Sequence, residues 1–124
     1  KTGSGASKTE VIKDLFDGKK HKDNKAIFQT ILYCLLLTPS SDGAKTIQPG
    51  ISWMKNLYND DYNTDIYTKV DKKYTLIDFL AIKEEFEMEL SYIIDEIFDP
   101  AIDFIQTPNE KTCLYCTFKN LCNR

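Results

Sequence analysis

The sequence predicts a helix-rich α/β or α+β domain, and three observations predict it. The stretch from about Leu76 to Phe98 repeats its apolar residues at the spacing of one helical face. A second stretch, Asn24 to Leu37, is apolar around most of its circumference, as buried helices are. Between them, Ile51 to Leu57 alternates Ile51, Trp53 and Leu57 with Ser52 and Asn56, the period of a strand.

In chain order, Ser7-Lys8-Thr9-Glu10 fits a capping box, in which serine and glutamate each satisfy an orphan amide. The stripe Val11, Ile12, Leu15 and Phe16 then predicts a first helix, with Gly18 placed to stop it. Residues 19–25 are rich in lysine and read as an exposed loop carrying His21, with Asn24 capping the second helix. Residues 38–50 are turn punctuation, 59–66 are polar, and 67–75 suggest a further short extended segment. In the long helix, Phe79, Ile82, Phe86, Leu90, Ile93 and Ile97 form the apolar stripe, and Asp99-Pro100 ends it. Glu84, Glu85, Glu87 and Glu89 read as the solvated opposite face rather than a metal site.

At 124 residues the chain is expected to be one domain, 1–124, closed by a cysteine-containing tail over 108–124. A net charge of −3 excludes a uniformly basic nucleic-acid module, and the one arginine, Arg124, argues against reading bases through guanidinium forks. Lysines in the first 25 residues still suit phosphate neutralisation without sequence reading. No apolar run is long enough for a membrane span, and no apolar segment leads into a small-residue cleavage site. The expectation is a cytoplasmic protein with reduced thiols. The chain opens on Lys1 rather than methionine, which is read as a start inside a domain.

Two patterns carry chemistry. Cys113-x2-Cys116-x5-Cys122 sets three thiolates within ten residues. Thiolates suit zinc or iron–sulfur clusters, but both usually take four ligands. The fourth cysteine, Cys34, falls in the apolar helix and reads as a small hydrophobe. The tail is therefore either part of a metal site or three unligated thiols packed among Tyr115, Phe118 and Leu121. Gln29-x3-Tyr33 puts an amide and a phenol on one face of a helix. They are either satisfied by nearby backbone or line a polar pocket. Gly3 to Thr9 looks like a phosphate-binding loop but lacks glycine at Thr2 and Ser7, and is set aside.

The order of these features (Lys1-Thr2-Gly3, Gln29-x3-Tyr33, a strand after Pro49-Gly50, a long amphipathic helix, the cysteine tail) resembles the second half of a PD-(D/E)XK nuclease domain. The branch it most resembles is the RecB-like/AddB-like one of recombinational repair helicase-nucleases. The resemblance implies a restriction-endonuclease-like fold, a small mixed sheet flanked by helices, of which this chain is the helix-rich C-terminal part. It implies that Lys1, from the family's Asp-x-Lys-Thr-Gly motif, is catalytic and that Gln29 and Tyr33 match its Gln-x3-Tyr motif. Cys113, Cys116 and Cys122 match the three C-terminal ligands of a 4Fe–4S cluster that some members carry. Mg²⁺ or Mn²⁺ would be held by carboxylates upstream, so this piece alone is expected to be inactive. DNA is the implied partner, met partly by Lys19, Lys20 and Lys22, together with the upstream half of the domain and a helicase domain or subunit. The competing readings are a catalytically inactive DNA- or partner-binding module and a small zinc-binding interaction domain.

Overall fold

The computed structural model describes residues 8–9, 11–17, 21–38, 43, 45–70, 72–107 and 110–123, the side chains of residues 21–23, 70 and 112 excepted. It divides into two compact units, residues 1–93 and 94–124. The mixed α/β class expected from sequence is the one observed.

In the first unit, strands β1 (Lys8–Thr9), β2 (Tyr67–Val70) and β3 (Lys73–Leu76) form a sheet in the order β1-β2-β3. β1 and β2 are parallel, with Lys8 opposite Tyr67 and Thr9 opposite Thr68. A parallel pair requires a crossover, and this one contains helix α1 (His21–Leu37). β2 and β3 form an antiparallel hairpin whose closing pair is Val70 and Lys73. Its two-residue loop needs positive φ, and Lys72 supplies it at φ 65°.

Helix α2 (Phe79–Phe98) follows β3. Asp78 caps its start: its Oδ1 accepts from Leu80 N–H and from Ile47 N–H, each at 3.1 Å. The core of the unit joins Ile12 and Leu15, Ile27 and Ile31 of α1, Ile51 and Trp53, Ile66 and Ile77, and Phe79 and Phe86 of α2. Burying a side chain such as Phe86 or Ile31 fully is worth about 1.5–3 kcal/mol. Phe16, Phe28 and Phe86 meet in a ring cluster with centroids 5.3–5.7 Å apart, tying the first turn to α1 and α2.

Five local expectations are corrected. The first helix is a single 3-10 turn, Ile12–Leu15, preceded by strand β1. Pairing with β2 holds Lys8–Thr9 extended, and Val11 remains extended after it. Helix α1 begins at His21, so the second half of the expected lysine loop is helical. Asn24 is buried inside that helix rather than capping it, and its Nδ2 donates to the Asp14 carbonyl at 3.0 Å. The segment 51–57 is no strand. Only Gly50 bridges to Asp65, Ile51 N–H donates to the Thr64 carbonyl, and Met54–Asn56 curl into a 3-10 turn. The alternation was physical, since Ile51 and Trp53 are buried and Ser52 exposed, but among the described residues no neighbouring strand continues the ladder. Finally, α1 is buried on one face only: Tyr33, Leu36 and Leu37 are exposed.

The expected extended segment over 67–75 is present as the hairpin, and the long helix is present from Phe79. In the second unit, the Asp99 carboxylate accepts from Ala101 N–H at 2.8 Å where α2 ends. A short helix α3 (Glu110–Cys113) and a 3-10 turn (Lys119–Cys122) follow.

Candidate active site

Helix α1 carries the pair singled out from sequence. Its core face is Ala26, Ile27 and Ile31, all buried. Gln29 is half-buried and Tyr33, one turn on, is 57% exposed. A spacing of four residues aligns them along the helix, and Leu36 and Leu37 extend the exposed face beyond Tyr33. The pair therefore borders the surface of the first unit rather than its core. Lys1, Lys19 and Lys20 lie outside the described residues; Lys22 lies in the first turn of α1, its side chain also outside them.

Three acidic side chains of this unit are engaged structurally. The Asp78 carboxylate caps α2, Asp65 accepts from the Tyr67 hydroxyl at 3.1 Å, and Glu89 pairs with Lys13 at 3.3 Å. The bond to Asp65 raises the Tyr67 phenol above its ordinary range, with desolvation and the Asp65 charge adding to it. Among the described residues no three His, Cys, Asp or Glu side chains gather as a metal site.

The cysteine tail sits in the second unit. Cys116 N–H donates to the Cys113 carbonyl at 3.1 Å, so the C-x-x-C pair forms a tight turn. Gln106 Nε2 donates to the Cys122 carbonyl at 3.2 Å. Cys113 and Cys122 are half-buried and Cys116 is exposed. A shallow hollow of about 340 Å³ is lined by Glu110, Cys113, Leu114, Lys119 and Asn123, only one of the three thiols. The three cysteines are not gathered around one metal position among the described residues. Cys34 is half-buried against the core, and burial raises its thiol above the ordinary value.

The comparison that decides the family is with family models. That of the PD-(D/E)XK nuclease superfamily matches residues 1–123. The chain belongs to this superfamily. No curated protein and no solved structure matches it. PD-(D/E)XK nucleases generally use divalent metal ions, and membership points to nuclease-like function and DNA as the partner. Among the described residues, no helix is long and apolar enough to cross a membrane.

Sequence alone did not point to the outer face of the sheet. There Lys8 Nζ stands 5.1 Å from the centre of the Tyr74 ring and 6.0 Å from that of Tyr67. The available signal was the alternation Tyr67, Lys69 and then Tyr74, Leu76, which places aromatic and basic residues on one face of a hairpin.

Proposed function

We propose that this chain is the C-terminal part of a RecB-like/AddB-like nuclease domain in a cytoplasmic DNA repair or recombination helicase-nuclease, where it helps hydrolyse phosphodiester bonds. The observation that carries the reading is Gln29-x3-Tyr33 on α1, within the β1–β2 crossover of a chain matching the superfamily over residues 1–123. In this proposal Lys1 orients the attacking water or offsets charge growing on the phosphate oxygens. Gln29 and Tyr33, near the surface of α1, position that lysine or the DNA backbone. Lys19, Lys20 and Lys22 neutralise phosphates without reading sequence.

The described residues offer no carboxylate set for Mg²⁺ or Mn²⁺, whose ligands the proposal assigns upstream of Lys1. The iron–sulfur cluster is likewise proposed only for the intact parent, because three thiolates fall one short of the usual four. The upstream half of the domain and a helicase domain or subunit are its proposed partners.

The test is metal-dependent cleavage of linear DNA by the intact parent. Lys1→Ala is expected to lower kcat by roughly 10²–10³-fold, the scale of one lost electrostatic stabiliser, with unchanged thermal melting. Unchanged turnover removes Lys1 from the mechanism, and absence of any cleavage removes the nuclease reading. The 124 residues alone are expected to cut nothing. Iron with labile sulfide in anaerobically purified parent supports the cluster, whereas stoichiometric zinc refutes it.

A further inference from the structure

The sheet has two unlike faces. On one, Thr9 and Thr68 are buried. On the other, the cross-strand row Lys8–Tyr67–Leu76 is followed by the pair Lys69–Tyr74. Tyr74 is 46% exposed and Leu76 39%. The Lys8 ammonium rests over both tyrosine rings, nearer Tyr74. Lys72 stands in the hairpin turn, whereas Lys73, two positions from Thr75, belongs to the face of Thr9 and Thr68. In a chain of net charge −3, the described charged residues of this face are Lys8 and Lys69 against Asp65. The Asp65 carboxylate is engaged by the Tyr67 hydroxyl.

We infer that this face binds a single DNA strand, with a base stacked on Tyr74 and the flanking phosphates on Lys8 and Lys69. Lys8 and Lys69 on the one face select a polyanion. The exposed ring selects an unpaired base, because bases in a duplex are already stacked on one another. An exposed cation–π contact is weak, so the Lys8 ammonium leaves the ring for a phosphate at little cost as the base arrives. The surface reads backbone and stacking rather than sequence, having no arginine fork to meet base edges. That the polymer is DNA rests on the nuclease reading; the stacking geometry does not.

The experiment is fluorescence anisotropy of a labelled 20-nucleotide oligo(dT) and of a 20-base-pair duplex with the 124-residue chain in EDTA, so that no cleavage competence is needed. Tyr74→Leu is expected to weaken oligo(dT) binding by roughly five- to 100-fold, the range of one lost base–aromatic stack. Tyr74→Phe keeps the ring and is expected to stay within about twofold. Lys8→Gln is expected to lower the slope of log affinity against log salt by about 0.7, one phosphate contact on a single strand. Tyr58→Leu, at a residue 93% exposed elsewhere in the first unit, is the control and changes nothing. Circular dichroism confirms folding, and should Tyr74→Leu not fold, the Lys8→Gln slope decides alone. Wild-type binding by both Tyr74→Leu and Lys8→Gln overturns the inference. So does the absence of oligonucleotide binding, equal binding of the duplex with equal losses, or a dimer that Tyr74→Leu dissolves. Tyr74-dependent binding without cleavage by the intact parent refutes the nuclease reading alone, whereas cleavage with Tyr74-independent binding refutes this one alone.

Discussion

Removing the Asp78 carboxylate tests how the loop between α1 and β2 is fastened to the long helix. Asp78 Oδ1 accepts from Leu80 N–H, a capping bond, and from Ile47 N–H, a bond across 31 positions of sequence. Phe79 N–H answers by donating to the Ile47 carbonyl at 2.8 Å. Asp78→Ala loses the cap, which costs about 0.5–2 kcal/mol. It also leaves the Ile47 amide without its acceptor, which costs about 1–3 kcal/mol when water cannot replace it. Ile47 is half-buried, so the lower part of that range applies. The sum is about 1.5–4 kcal/mol. With a urea slope of about 2 kcal/mol per molar, the unfolding midpoint falls by about 1–2 M. Asp78→Asn keeps an oxygen at the same place and is expected to cost under about 1 kcal/mol. The single tryptophan, Trp53, is buried in the same unit and reports the transition by fluorescence. Equal midpoints for the alanine and asparagine variants, or an alanine shift under about 0.3 M, would refute the reasoning.

Three further outcomes follow from the packing and the thiols. Phe86→Ala empties the centre of the Phe16–Phe28–Phe86 cluster and is expected to cost about 3–5 kcal/mol, measured by the same denaturation, with Phe86→Leu costing distinctly less. Lys72→Gly relieves a left-handed lysine at φ 65° and is expected to raise stability by up to about 1 kcal/mol, seen as a higher melting temperature. Cys34 is expected to alkylate more slowly than exposed Cys116 at pH 8, followed by mass spectrometry, because burial raises its thiol. The same shift makes the stability it contributes complete below the ordinary thiol value of 9.0 and lost as pH rises through the raised folded value, a loss that Cys34→Ala removes.

The long helix was legible because Phe79, Phe86 and Leu90 recur at one helical face and pack against the core as that spacing requires. The Gln29–Tyr33 pair was legible for the same reason, since a four-residue spacing means one face of any helix. The first helix was misread because Val11, Ile12, Leu15 and Phe16 satisfy helical spacing equally well as a single 3-10 turn beside a strand. Pairing Lys8–Thr9 with Tyr67–Thr68, nearly sixty positions away, decided against the longer helix. The strand over 51–57 failed for the converse reason: alternation records which side chains are buried, and a ladder also needs a partner.

By itself, then, the sequence determined the helix-rich α/β class, the Gln29-x3-Tyr33 spacing on α1 and the spacing of the tail thiols, all of which are local periodicities or short spacings. Only the tertiary structure decided that β1 is a strand and that α1 buries a single face. It likewise decided that Asn24 reaches back to Asp14, and that Lys8 lies over Tyr67 and Tyr74. Each of these depends on a contact between residues far apart in the chain or on which neighbour covers a face. No window of local sequence contains that information.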